Sequence, residues 1–305
     1  MTSAALGSAG IAQALTSTGL RLRTGPFTFC LRSSIPAVIA GVERLYGGYP
    51  RVAAEDFIDF EVVLRASRGL RRWHRPQVRF FYDGASPFAP LPLSHALPLL
   101  EWSMNWCIST QAHQYLMLHA AVLAREGRAR LLPAPPGSGK STLCAALMHR
   151  GWQLLSDEIA LVAPGSLAIQ PLCRPVSLKN ESIPLIAAFE PASVFSEVTR
   201  ETSKGSVAHL QVPPAQLARI DEAAQPAWVV FPQYVRGAAA ALTPRSRPDT
   251  LLELGRNAFN YTLLGRAGFE TLSDLVTASA CYRFEYSRLD DAVAAFEALA
   301  RVEPQ

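Results

Sequence analysis

Residues Ala134 to Thr142 read Ala-Pro-Pro-Gly-Ser-Gly-Lys-Ser-Thr. Gly137 and Gly139 allow a tight backbone fold, so that successive N–H groups face one anion. Lys140 supplies an ammonium that reaches β- and γ-phosphates, and the Ser141 hydroxyl suits Mg²⁺. A helix starting here turns its positive end to the same anion. Ala134-x-x-x-x-Gly139-Lys140-Ser141 is phosphate-loop spacing with Ala for the first Gly. The expected cradle is therefore Ala134, Pro135, Pro136, Gly137, Ser138, Gly139, Lys140, Ser141 and Thr142. Asp157-Glu158 follows after room for only one helix and one strand. One carboxylate of such a pair can accept a hydroxyl proton and the other can hold a metal. ATP and Mg²⁺ are the cofactors this chemistry predicts.

Other residues are weaker candidates. His119 lies on an apolar stretch before the loop, and a hairpin would return it towards the phosphates. Only three of the 29 basic residues are lysine, namely Lys140, Lys179 and Lys204. Lysine and arginine differ in shape and hydration, so a retained lysine in an arginine-rich chain draws attention. Lys179 and Lys204-Gly205 sit in polar segments that either meet phosphate or form solvated turns. Glu181 is a candidate third Mg²⁺ ligand beside Ser141 and Glu158. His209 reads as packing more readily than as a site residue. Asn257 and Asn260 are spaced for one helix face, and they suit capping a neighbouring loop as well as contacting a ligand.

The elements that must carry these groups follow from periodicity. Tyr115–Leu123 and Ala129–Pro133 read as strands joined at Arg125-Glu126-Gly127-Arg128. A helix is expected from the loop to about Arg150, with Gly151 left-handed after it, then a strand over Trp152–Ser156. The first third reads as short strands and loops, including Asp56–Leu64 and Val78–Tyr82. Pro87–Pro98 reads as a connection, and Leu99 to about Ser109 as a helix. Cys281–Tyr286 alternates as a strand, and Leu289–Val302 has helical spacing with Asp290 and Asp291 in its first turn.

Composition excludes several classes. With 305 residues, 49% hydrophobic and 18% charged, the chain is globular, not disordered. A net charge of +4 is mild, and the basic run Arg68–Arg75 reads as a solvated loop, so no nucleic-acid partner is expected. Five cysteines without metal-type spacing read as reduced, buried thiols, and Met1–Leu20 is a poor signal peptide. No apolar run is long enough to span a bilayer. A cytoplasmic location is expected.

On these residues the chain resembles the catalytic domain of HPr kinase/phosphorylase over 115–162. It is still more similar to the HPr-kinase-related kinase A group associated with exosortase and exopolysaccharide gene clusters. The segments carrying that resemblance are His113–Ala121, Arg174–Ser182, Lys204–Leu210 and Asn257–Tyr261. It implies an α/β fold with a P-loop core of HPr kinase/phosphoenolpyruvate carboxykinase type over 99–305, preceded by a smaller α+β domain over 1–98. It implies an ATP-dependent kinase with Lys140 and Ser141 on phosphate and Mg²⁺. Asp157 would be the base for a seryl hydroxyl, with His119 beside it. Family analogy also suggests a homo-oligomer. The acceptor stays open between a protein and a small molecule, and a nucleotide-binding regulator without transfer is the other reading. Glu158 stands where HPr kinases have Asp, Pro135-Pro136 stiffen the loop, and the HPr-recognition segment of the true enzymes is not evident.

Overall fold

The computed structural model describes residues 8–135 and 137–301. The architecture is mixed α/β, with three sheets. The first sheet has the order β1 (Leu20–Thr24), β2 (Phe27–Ser33), β3 (Phe60–Ala66), β4 (Gln77–Phe81), β5 (Leu91–Pro92). Helices α1 (Ser8–Thr16), α2 (Pro36–Tyr46) and α3 (Ala96–Gln111) accompany it. Neither α1 nor α2 is expected from the strands and loops that the first third suggests. Yet α2 has Pro at its first position, where no hydrogen bond is lost. It buries Val38, Gly41, Val42, Leu45 and Tyr46, a helical stripe. Pro87–Pro98 is more than a connection: it holds β5 and the start of α3. Pro98 is tolerated there because first-turn N–H groups have no intrahelical partner.

The eight-stranded second sheet has the order β10-β9-β6-β7-β14-β16-β15, with β8 also on β6. These strands are β6 (Leu116–Arg125), β7 (Arg128–Pro133), β8 (Gln153–Ser156), β9 (Ile159–Val162), β10 (Ile169–Gln170), β14 (Gln225–Tyr234), β15 (Ala241–Pro244) and β16 (Ala280–Tyr286). The third sheet is β11 (Val176–Lys179), β13 (Gly205–Leu210) and β12 (Thr199–Thr202), antiparallel throughout. The remaining helices are α4 (Lys140–His149), α5 (Ser182–Phe189), α6 (Pro214–Leu217), α7 (Arg247–Arg256), α8 (Tyr261–Thr277) and α9 (Leu289–Ala300).

Burial explains the apolar strand sequences. One face of β6 contributes Met117, Ala121 and Leu123 to a cluster shared with α4 and α9. The other contributes Leu116, Leu118, Ala120, Val122 and Ala124 to a cluster shared with α7 and α8. A strand covered on both faces reads as a continuous apolar run. The first cluster extends without a break into the first sheet through α3. β6 and β7 form a hairpin whose turn residues Glu126 and Gly127 both have positive φ, the geometry that matches strand twist. β14 runs parallel to both β7 and β16, so three strands end on the same side of the sheet, where such folds bind ligands. All five cysteines are free and buried. Among the described residues, no helix is long and apolar enough to cross a membrane.

Candidate active site

The glycine loop leaves β7 at Pro133 and enters α4 at Lys140. Gly137 and Gly139 have φ of 87° and 88°, a region costly for side-chain-bearing residues. At Gly139 a Cβ would also lie 2.4 Å from the Tyr286 hydroxyl. That hydroxyl donates to Gly139 O at 3.1 Å, and the Tyr234 amide donates to Ser138 O at 3.0 Å. The ends of β14 and β16 therefore brace the loop. Neither tyrosine was a sequence candidate, because each lies far along the chain from the loop. Ser138 Oγ is buried and has no hydrogen-bond partner. Ala134 is buried and Pro135 exposed; Pro136 lies outside the described residues. In the first turn of α4, Ser141 is half-buried and Thr142 Oγ1 donates to Ser182 Oγ at 2.7 Å.

The acids sit where one strand path breaks. β8 pairs with Val122–Ala124 of β6 and β9 with Leu116–His119, leaving Asp157-Glu158 between them. The break has a local cause: Ser156 Oγ accepts from the Glu158 and Ile159 amides at 3.3 and 3.0 Å. Asp157 Oδ2 accepts from the Ser177 amide at 3.1 Å. Asp157 Oδ1 is buried without a partner, although the Ser141 hydroxyl is near enough to favour the carboxylate. Burial pushes the Asp157 carboxyl up, against Lys140. Burial also acts to raise Glu158, but Lys140, Lys179 and Lys204 outweigh it and hold that carboxyl low.

All three lysines of the chain converge here. The Lys140 Nζ lies 3.4 Å from His119 Nε2, and Lys179 Nζ lies 3.9 Å from Glu158 Oε1. Lys204, in the β12–β13 turn, lies 5.2 Å from the centre of the Trp102 ring and acts on Glu158 electrostatically. Gly205 makes that turn possible: its φ is 82°, and a Cβ there would meet Asn180 Oδ1 at 2.3 Å. His119 is 3.9 Å from Glu158 Oε2. Burial, and then Lys140, pull its imidazole down to about 4, so the ring is neutral near pH 7. The cluster thus holds three ammonium groups against two carboxylates, an arrangement that favours an anionic ligand.

Glu181 is exposed at the cap of α5, next to Ser182, which meets Thr142 of α4. Among the described residues no cluster of three or more His, Cys, Asp or Glu has metal-binding geometry. Asn257 and Asn260 do not share a helix face: Asn257 ends α7 and Asn260 precedes α8. Their work is to hold β6. Asn260 Oδ1 accepts from the Met117 amide at 3.0 Å, its Nδ2 donates to Tyr115 O at 2.8 Å, and Asn257 O accepts from the His119 amide at 2.8 Å. His209 is fully buried, with both ring nitrogens unpartnered.

No family model matches the chain, and no curated protein matches it. Among solved structures it is similar to the Hpr(Ser) kinase/phosphatase from Coxiella burnetii. The identity is 12% and the TM-score 0.27, over 60% of this chain and 97% of that one.

Proposed function

We propose that the protein is an Mg-ATP-dependent phosphotransferase acting on a hydroxyl group. The observation that carries this reading is the convergence of Lys140, Lys179 and Lys204 with Asp157 and Glu158 at the mouth of a glycine loop that opens a helix. The orphaned Ser138 Oγ and Asp157 Oδ1 fit a phosphate and a hard cation, which takes oxygen ligands. Ser141 and Glu158 are the residues to hold Mg²⁺, with Asp157 at their side. When bound, the ion neutralises charge on the phosphates.

The chain's own groups divide the remaining work. Loop amides and Lys140 bind the phosphate oxygens, and neutral His119 fixes the Lys140 ammonium. The two carboxyls are pushed in opposite directions, Asp157 up and Glu158 down, which is how a base and a permanently charged partner are separated. Asp157 takes the acceptor O–H proton as the new O–P bond forms and the bond from γ-phosphorus to the bridging oxygen breaks, releasing ADP. The seryl identity of the acceptor and the exosortase or exopolysaccharide setting rest on the sequence resemblance.

The test is transfer of radiolabelled γ-phosphate from Mg-ATP in host lysate, followed by identification of the labelled species. Asp157→Asn is expected to keep nucleotide affinity and reduce transfer by about 100-fold or more. Wild-type protein that binds Mg-ATP and labels nothing would replace this reading with a nucleotide-binding regulator.

A further inference from the structure

The arginines of this chain are unevenly placed. Six of them, Arg65, Arg68, Arg71, Arg72, Arg75 and Arg79, fall between Glu61 and Asp83, a stretch with no acidic residue. It holds the end of β3, the loop after it and β4. Within the loop, Gly69–Arg72 forms a short 3₁₀ turn. Arg65, Arg68, Arg72, Arg75 and Arg79 are exposed, and none of these five has an ion-pair partner among the described residues. Elsewhere on the surface arginine finds an acid: Arg23 meets Asp221, Arg150 meets Glu190 and Arg266 meets Glu270. Glu61, at the edge of the stretch, is already taken by Arg32 at 3.0 Å. Arg65 and Arg79 are paired directly across β3 and β4, a position where like charges repel. In the loop Trp73 is 78% exposed, with the Arg72 guanidinium 4.6 Å from the centre of its ring.

We propose that the β3–β4 loop and the strand ends beside it dock on an anionic lipid surface. Lipid phosphates supply the counter-charges that the protein withholds here, and they relieve the repulsion between Arg65 and Arg79. The planar arginine fork matches phosphate oxygens, and each basic side chain held near such a surface adds to binding. Tryptophan settles at headgroup level, where its ring body is apolar and its N–H stays wet. A nucleic-acid strand would instead need successive aromatic platforms. Trp73 is one ring, and Arg72 covers one of its faces. One tryptophan and one basic cluster give reversible, salt-sensitive attachment, not insertion. The proposal does not depend on the phosphotransferase reading: this loop belongs to the first sheet and the glycine loop to the second.

Flotation of the full chain with lipid vesicles, without nucleotide, is the test. Phosphatidylcholine vesicles with about one phosphatidylglycerol in four should carry the protein, and pure phosphatidylcholine vesicles should not. The triple variant Arg68→Gln, Arg72→Gln, Arg75→Gln should partition on the order of 100-fold more weakly at low salt, and the gap should narrow as salt is added. Trp73→Ala should weaken partitioning by about tenfold, a ratio that salt leaves unchanged. All four side chains are exposed, so the melting temperature should stay where it is. Equal partitioning to both kinds of vesicle, or no binding to either at low salt, overturns the proposal. So does a triple variant that partitions like the wild type. If a single-stranded oligonucleotide strips the protein from the vesicles at physiological salt and the triple variant no longer binds it, the partner is nucleic acid and the proposal fails. No arm of the test needs turnover, so failure of γ-phosphate transfer would bear on the kinase reading alone.

Discussion

Arg174 is held by its two terminal nitrogens: it donates to Asn105 Oδ1, to Glu101 O and to the Glu101 carboxylate, and the Tyr46 hydroxyl meets both Glu101 oxygens at 2.8 and 2.9 Å. The side chains of that ion pair are 7% and 4% exposed. Glu158 is held otherwise. Its cations stand off, Lys179 at 3.9 Å, and the two side chains are 25% and 32% exposed. The first cluster balances its charges and joins α2, α3 and the segment before β11. The second carries surplus positive charge at longer range. A buried charge matched at close range by an opposite charge holds the fold together, while one whose counter-charges stand off is free to meet a ligand. The two clusters share no hydrogen bond or ion pair among the described residues, so their separation can be tested by mutation.

The largest effect is expected from breaking the closed cluster. Glu101→Gln leaves Arg174 charged and buried without its counter-ion, a loss of about 3–5 kcal/mol. Chemical denaturation reads it directly. A loss below about 1 kcal/mol would mean that the two clusters do not differ in kind.

Lys140→Ala should give the opposite pattern. Removing one of three crowded ammonium groups relieves like-charge repulsion while taking from Asp157 and Glu158 their strongest cation, so the two effects oppose and stability should change less than in Glu101→Gln. Nucleotide affinity, measured by calorimetry, should fall on the order of 100-fold, or about 2.7 kcal/mol. Intact ATP affinity would sink the phosphate-loop assignment itself.

The contrast between the clusters also marks what sequence could tell. The glycine loop is legible because its residues are contiguous and each type has a chemical reason to be there. Asp157-Glu158 is legible for the same reason, and the Glu126-Gly127 turn explains why His119 lies beside the loop. That Ser177 and His209 are neighbours is not legible, since single polar residues on separate strands meet only through β11–β13 pairing. Tyr234 and Tyr286 look like ordinary strand aromatics until parallel pairing brings their ends to the loop. The shared helix face of Asn257 and Asn260 is not observed, because spacing cannot reveal that one helix ends and another begins between them. Helix α2 failed differently: its apolar stripe is visible in the sequence, but beside the strands flanking it the segment read as loop.

A smaller effect is expected at Lys204, which is exposed and acts over Trp102 at a distance. Lys204→Ala should weaken nucleotide binding by about tenfold or less at low ionic strength, and the difference should shrink as salt screens it. Because Glu158 loses one of its cations, its carboxyl should also rise. Salt-independent loss would point to a direct contact instead of a field effect.

The smallest single effect is expected at the brace under the loop. Tyr286→Phe removes the hydroxyl that donates to Gly139 O, but that carbonyl still accepts from the Leu143 amide at 2.9 Å. The cost should therefore be about 1 kcal/mol. Gly139→Ala costs more, from two sources: a left-handed backbone, about 1–2 kcal/mol, and the collision of its Cβ with the Tyr286 hydroxyl. The double variant separates them. Removing the hydroxyl relieves the collision but not the backbone, so Gly139→Ala should be less harmful in the Tyr286→Phe background, with a coupling between about 0.5 and 3 kcal/mol. Strict additivity in a thermodynamic cycle would mean that the loop yields without touching Tyr286, and that β16 does not brace the site.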